Sequence, residues 1–257
     1  QQRDQGLLAA FMTKEELDAQ FGKGGWRAIR RHGIWQGLFR KDGSKKIRGI
    51  DDARKSSHNS SAELRDTIRT VSPDIALQLI VWLCRQEPDE DALRELDFVM
   101  GSDDLQDAYH GVPNHPEQLR FCVVALRDTE SDTIRFAISY GHLFGLAAAV
   151  NNFNRLPELL TAVARRIGGA ATWHYFDDQG VLELRGAGAL PGLGAQDFTQ
   201  WLFELVGRPF QDDKCIPASA STQHLGLVND LTDWRRKGAI RLKPRKGKVD
   251  EMLQKME

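Results

Sequence analysis

The sequence predicts an α+β fold in which antiparallel strands and helices are interspersed. Three observations carry this. From Thr133 to Tyr140, Ile134, Phe136, Ile138 and Tyr140 alternate with Thr133, Arg135, Ala137 and Ser139, and Arg120 to Leu126 precedes them as a strand partner. Ser72-Pro73-Asp74 sets an N-cap, a first-turn proline and a first-turn acid ahead of IALQLIVWLCRQ, a helix. Thr172 to Phe176 and Val181 to Arg185 read as two short strands, with Asp177-Asp178-Gln179-Gly180 as the turn between them.

The remaining elements follow in order. Thr13-Lys14-Glu15-Glu16 is a capping box for a short helix that Gly22 ends. Trp35 to Phe39 and Lys46 to Ile50 are short strands joined through Arg40-Lys41-Asp42-Gly43. Gln86 to Asp91 reads as an acidic loop, and a strand starts at Phe98. A helix covers Leu146 to Arg166, with a kink or restart expected at Pro157. Gly194 to Val206 is an amphipathic helix with Phe198, Trp201, Leu202, Leu205 and Val206 on one face, and Leu225 to Val228 is a last strand. A length of 257 residues suits one large domain or two modest ones.

Composition narrows the class. The 35 Lys and Arg against 36 Asp and Glu leave a net charge of -1, which by totals alone speaks against a strongly basic nucleic-acid binder. Mean hydropathy is -0.45, and the longest nearly apolar stretch, Ile75 to Cys84, is about half a membrane span, so no membrane helix is expected. Cys84, Cys122 and Cys215 are widely spaced and lack a Cys or His at ligand spacing, which favours a reduced, intracellular setting (nucleus or cytoplasm) over a disulfide framework or zinc site. The opening QQRDQGLLAAF has no signal-peptide h-region.

Two acidic clusters bear on chemistry. Asp177-Asp178 follows the aromatic strand Trp173-His174-Tyr175-Phe176, and Asp103-Asp104-Leu105-Gln106-Asp107-Ala108-Tyr109 closes the strand from Phe98. Taken singly, the first also fits a solvated turn and the second a plain strand end. Together, a carboxylate at one strand end facing a pair on a neighbouring hairpin suits two Mg²⁺ ions, which prefer carboxylate oxygens and substrate phosphates. That is the arrangement for nucleotidyl transfer. The seven His are scattered, and neither a P-loop nor GxSxG is present.

These residues resemble a family. Asp104-Leu105-Gln106-Asp107-Ala108-Tyr109, with Val112-Pro113 and His115-Pro116-Glu117, is similar to the first catalytic motif of retroelement reverse transcriptases, and Tyr175-Phe176-Asp177-Asp178 matches their Tyr-x-Asp-Asp box. Phe144-Gly145-Leu146 with Phe153 lies between the two, as their template- and nucleotide-contacting motif does. Leu225-Gly226 falls where the primer-grip turn is expected, and Lys46-Ile47-Arg48 with Asp52 and Arg54 is similar to the basic fingers strand. The resemblance spans roughly residues 40 to 230. It implies right-hand polymerase fingers and palm, with an antiparallel palm sheet packed on helices and the thumb largely absent. Residues 1–97 would be N-terminal segment and fingers, 98–230 palm with a fingers hairpin at about 118–145, and 231–257 a basic tail or the start of a thumb. Only 31 residues follow Gly226, too few for a thumb and an RNase H domain.

The resemblance implies an RNA-directed DNA polymerase that adds dNTPs to a primer on an RNA or DNA template with two Mg²⁺ ions, or Mn²⁺ in their place. Asp104, Asp177, Asp178 and the Leu105 carbonyl would be metal ligands. Arg48, with Lys46 or Lys45, would grip the triphosphate; Tyr109 would exclude a 2′-hydroxyl; Phe144 and Gly145 would line the nucleotide. Leu225 and Gly226 would hold the primer, and Lys214 would protonate the leaving pyrophosphate. The chain departs from the pattern at His142-Leu143-Phe144-Gly145, where Leu-Pro-x-Gly is usual, and at Ala149-Val150, where a small residue and Pro are usual. The altered motif and missing thumb leave as an alternative an impaired remnant that binds RNA or protein; an RNA-directed RNA polymerase, which shares the two-metal chemistry, fits less well because Tyr109 resembles a sugar gate.

Charge is also sorted by position. Residues 23–55 hold eleven Lys and Arg against three acids, 87–132 hold thirteen acids against three Arg, and Arg235 to Lys248 holds eight basic residues and no acid. Such runs are often just solvated faces, but basic flanks can also track nucleic-acid phosphates beside an acidic centre.

Overall fold

A computed structural model describes residues 5–39, 43–64, 66–86, 89–128, 131–185, 194–247, 249 and 253. In chain order the elements begin with α1 (Lys14–Phe21), β1 (Ala28–Phe39), β2 (Lys45–Asp52), α2 (Ile75–Gln86), α3 (Glu90–Glu95) and β3 (Asp97–Asp104). There follow β4 (Val123–Arg127), β5 (Ile134–Ile138), α4 (Ala147–Ile167), β6 (Ala171–Tyr175), β7 (Asp178–Arg185) and α5 (Ala195–Leu205). The C-terminal part adds β8 (Ile216–Ser219), β9 (Ser221–His224), β10 (Leu227–Asp230), α6 (Trp234–Lys237) and β11 (Arg241–Pro244). The chain divides into two units, Gln1–Ile68 with Asp107–Asn154, and Arg69–Gln106 with Arg155–Glu257.

The first unit is built on a sheet of order β2-β1-β4-β5. β1 pairs antiparallel with β2 and parallel with β4, and β4 with β5 forms the hairpin that the alternating pattern predicts. Its inward residues make one core of Ile29, Ala53, Val124, Ala137 and Leu143 and a second of Leu17, Val123 and Ile138. The capping box holds α1 as predicted, the Thr13 amide donating to Glu16 Oε2 and the Glu16 amide to Thr13 Oγ1.

The second unit carries an all-antiparallel sheet, β6-β7-β3-β8, and a smaller one, β11-β10-β9. α2 packs Ala76 and Ile80 against Phe98, Met100, Trp173, Leu182 and Leu231, so one stripe of that very apolar helix is covered while Val81 and Trp82 remain exposed. Trp173 has no exposed surface, and its indole Nε1 donates 3.0 Å to His224 Nε2. An indole N–H only donates, so His224 carries its proton on Nδ1 and gives it to Ser102 Oγ at 2.9 Å. Burial pushes His224 down to about 4. This Ser–His contact is therefore a neutral tether joining β3, β6 and β9, with the hydroxyl accepting rather than being deprotonated.

The structure corrects several sequence expectations. Asp178, Gln179 and Gly180 belong to β7, and the hairpin loop is only Phe176-Asp177, because Gly180 is the cross-strand partner of Trp173. A Cβ there would lie 2.3 Å from the indole, so this glycine makes room for a ring instead of making a turn. α3 begins inside the expected acidic loop, Asp89 Oδ1 accepting from the Asp91 and Ala92 amides at its start. α4 runs unbroken through Pro157. Leu225-Gly226 is a turn, with strands on either side of it, and β1 starts at Ala28, seven residues before the expected Trp35. Most of the predicted turn between β1 and β2, at 40–42, lies outside the described residues.

α5 is rotated relative to its apolar pattern. Its buried residues are Gln196, Thr199, Leu202 and Phe203, while Trp201, Leu205 and Val206 are about half exposed or more. The cause is Asp103, 1% exposed on β3, which needs donors and finds them in the two glutamines of this helix.

The basic C-terminal segment is largely paired. Asp233 takes Arg236, Lys237 and Arg241, and Asp230 takes Lys243 and Arg241. These contacts, with hydrogen bonds from Thr232 and Arg236 leading, hold both carboxyls down at about 2.

Candidate active site

Strand geometry sorts the carboxylates. Successive side chains of β3 point to opposite faces, so Asp103 and Asp104 part company. Asp103 turns to α5, where Gln196 Nε2 donates to both its oxygens (3.2 and 3.1 Å) and Gln200 Nε2 donates at 2.8 Å. Asp104 lies directly opposite Asp178 in the β3–β7 register, so both face the same side, with Asp177 one residue away at the hairpin tip. Like charges directly opposite in a sheet repel. Asp178 shows the result: burial, then the Asp177 and Asp104 charges, push its carboxyl up to about 6, while Lys214 partly offsets them. Lys214 ends a short 3₁₀ turn, Asp212–Lys214, and places Nζ 2.7 Å from Asp104 Oδ1.

The backbone around these residues is tied down. The Leu105 amide donates to the Asp177 carbonyl (2.9 Å), the Gln211 amide to the Asp104 carbonyl (2.9 Å), and Leu105 bridges Phe210. The Leu105 carbonyl accepts from Gln211 Nε2 at 3.4 Å. Phe176 sits at φ 55°, in the first loop position that glycine normally fills in a two-residue hairpin of this kind. Leu225 and Gly226, at φ 48° and 78°, form the β9–β10 loop with both residues left-handed. Non-glycine residues so placed cost roughly 1–3 kcal/mol and persist where their surroundings demand them.

The first unit holds the other predicted residues. Arg48, exposed on β2, sets its guanidinium 5.1 Å from the Phe144 ring centre. Phe144 meets Tyr109 at 4.7 Å, and buried Tyr109 also meets Phe153 at 4.9 Å. A Cβ on Gly145 would lie 1.8 Å from the Asp51 carbonyl oxygen, so only glycine fits. Lys46 is exposed two residues before Arg48 on the same strand face, and Lys45 lies 5.2 Å from the Trp35 ring. The unusual Leu143 is fully buried in the core, and Asn59 fixes the loop after it, donating to the Gly145 carbonyl (2.9 Å) and accepting from the Ala147 amide (2.8 Å). Those two hydrogen bonds tie the loop at Gly145 and Ala147 to Asn59.

Sequence reading placed Asp103 in the acidic cluster without a role of its own and gave none to Gln196, Gln200, Gln211 or Asn59. The one available signal was the pair of glutamines at i and i+4 in an otherwise amphipathic helix, polar residues that a buried carboxylate would need. The donor chemistry at Asp104, Asp177 and Asp178 suits a hard divalent ion. Among the described residues, however, no three His, Cys, Asp or Glu side chains converge closely enough to hold one, and Lys214 is the countercharge at Asp104. No helix among them is long and apolar enough to cross a membrane.

No protein-family model matches the sequence, and no curated protein matches it. Among solved structures, the foamy viral protease–reverse transcriptase in complex with double-stranded DNA is similar, with a TM-score of 0.59 over 98% of this chain and 11% identity. This chain spans 34% of that one. The chain has a reverse-transcriptase-like fold. At that identity the likeness is one of fold, and the residues must argue the chemistry.

Proposed function

We propose that this chain is the core of an RNA-directed DNA polymerase, in which a primer 3′-hydroxyl attacks the α-phosphate of a dNTP and pyrophosphate leaves. The observation that supports it most is the Asp104–Asp178 cross-strand pair with Asp177 beside it, in which burial first and then the Asp177 and Asp104 charges raise Asp178 to about 6, in a reverse-transcriptase-like fold. Like charges directly opposite in a sheet are destabilising, and a bound cation would relieve them. In this reading the β6-β7-β3-β8 sheet is palm and the β2-β1-β4-β5 sheet belongs to the fingers.

Asp104, Asp177, Asp178 and the Leu105 carbonyl would hold two Mg²⁺ ions. Such ions lower the pKa of an attacking hydroxyl and stabilise the in-line transition state. The protein's own groups do the rest. Lys214 holds Asp104 in place before a divalent ion arrives, and its ammonium is then the proton source for departing pyrophosphate. Arg48, with Lys46 near it, binds triphosphate oxygens through its planar fork of donors. Tyr109, rigidly packed by Phe144 and Phe153, rejects a 2′-hydroxyl. Gly145 and Phe144 shape the nucleotide contact, and the Leu225-Gly226 loop bears on the primer.

Primer extension on an RNA template with Mg²⁺ and dNTPs tests this. Extension by the wild type and its loss in Asp177→Ala support it; equal extension by both would sink it. Preferred incorporation of rNTPs over dNTPs would instead indicate an RNA-directed RNA polymerase. A protein that fails to bind dNTPs with Mg²⁺ in calorimetry would fit the non-catalytic remnant, a reading that the lack of three converging ligands among the described residues favours.

A further inference from the structure

We infer that Gln196 and Gln200 of α5, gathered by the buried Asp103, are positioning residues that set Lys214 against Asp104. All of these groups belong to the second unit, and only the catalytic consequence rests on the polymerase reading.

Lys214 needs such help. Its side chain is half exposed, and an exposed ion pair is worth about fivefold or less in its own equilibrium, so the 2.7 Å contact with Asp104 does not fix the lysine by itself. The strand that follows is not fixed by its ladder either. β3 pairs Met100 with Ser219 and Ser102 with Ile216, so β8 advances three residues while β3 advances two. Such a bulge leaves one residue outside the ladder, and Pro217, which has no N–H to give, lies within it. A slip of one residue in β8 would turn its side chains to the opposite face and carry Lys214, just before this strand, away from Asp104.

The side-chain amide of Gln196 spans the bulge. Its Oε1 accepts from the Ala218 amide (2.9 Å) and its Nε2 donates to the Ile216 carbonyl (3.1 Å). The same nitrogen donates to both oxygens of Asp103, so one planar group bridges the two strands. β3 makes room for it at Gly101, where a Cβ would lie 2.3 Å from Gln196 Oε1. Gln200, one turn later, repeats the connection: its Nε2 donates 2.8 Å to Asp103 Oδ1 and 3.4 Å to Sγ of Cys215, the residue after Lys214. On the other side of the lysine, the Lys214 amide donates to the Gln211 carbonyl (3.0 Å) and the Gln211 amide to the Asp104 carbonyl (2.9 Å). Lys214 is therefore held from both sides by groups bonded to Asp103 or to Asp104.

A buried carboxylate is a costly way to pack a helix on a sheet. Asp103 is 1% exposed, and apolar side chains of similar volume would seal the contact without demanding donors. What the polar version adds is register, because hydrogen bonds form in one alignment and apolar contacts tolerate several. In the polymerase reading, that alignment keeps the lysine where pyrophosphate departs.

Zero-length carbodiimide coupling of the metal-free chain, read by mass spectrometry of linked peptides, tests the geometry without any activity. Wild type should form a Lys214–Asp104 amide, with Lys243–Asp230, 3.0 Å apart on the smaller sheet, as internal standard. Gln200→Met keeps the helix and the volume, and should lower the Lys214–Asp104 yield at least about threefold against that standard; Gln196→Leu should lower it further. Gln200→Met alone decides where Gln196→Leu does not fold. Equal yields in wild type and Gln200→Met, or no such link in wild type, would overturn the inference, whatever the variants do to the melting temperature. Primer extension reads the consequence: Gln200→Met should lower kcat at least about threefold with the dNTP KM unchanged, and should add nothing in a Lys214→Met background. Fully additive losses would overturn it. A wild type that extends no primer would sink the polymerase reading, while the cross-link still decides the positioning.

Discussion

Asp178→Asn should stabilise the metal-free protein at neutral pH while removing a proposed metal ligand. The carboxyl rises from 3.8 to about 6 on folding, through burial and the Asp177 and Asp104 charges. The folded state therefore binds the proton more tightly than the unfolded chain. Its stabilising contribution is full below about 3.8 and is lost as pH rises through about 6. Fully buried, that difference would be about 3 kcal/mol at pH 8; discounted for solvent at this half-buried group it is about 1–2 kcal/mol. For a chain of this size the amide should raise the melting temperature by about 2–6 °C at pH 8 in EDTA. At pH 4 the gain should vanish. Thermal melts of both proteins across pH 4 to 8, followed by tryptophan fluorescence, give the answer. An unchanged or lower melting temperature for Asp178→Asn at pH 8 would refute the argument that burial and the facing carboxylates disfavour this charge, and with it the strongest support for a cation site.

Other outcomes follow from the same coordinates. Gln196→Leu removes the amide nitrogen that donates to both oxygens of the buried Asp103 carboxylate and should cost about 2–3 kcal/mol in urea unfolding, whereas Gln196→Glu, placing a second acid there, should cost more. Gly180→Ala forces a methyl against Trp173 and should destabilise by about 1–3 kcal/mol, visible as altered tryptophan emission. Phe176→Gly relieves a left-handed φ and should gain a few tenths to about 1 kcal/mol of stability while changing primer extension. His224, kept neutral down to about 4, favours the folded state above its unfolded value near 6.5; that contribution should fade as pH falls toward 4, steepening acid unfolding relative to His224→Gln.

Local physics made much of this legible beforehand. The capping box of α1, the apolar run of α2 and the period-2 pattern of β5 each depend on neighbours a few residues away, and each stands where the sequence places it. The turn expectation at Asp177-Asp178-Gln179-Gly180 failed because glycine has two uses. A sequence displays the missing side chain; only the opposite strand reveals that Trp173 fills the space. The α5 face failed for a related reason. Apolar periodicity names the stripe most easily buried, but an aspartate 97 residues from Gln200 had stronger requirements than Trp201 and Leu205.

By itself the sequence determined the α+β class, most strands and helices, and the carboxylates that any metal-dependent chemistry would need, since residue identity and short-range pattern suffice for these. Tertiary structure decided which carboxylate does what. Pleating sends Asp103 inward to two glutamines and Asp104 across to Asp178, and their adjacency in the chain conceals that parting. It also decided that the basic tail near α6 is largely taken up by Asp230 and Asp233. Charge and burial act through space, and only the fold says which groups are near.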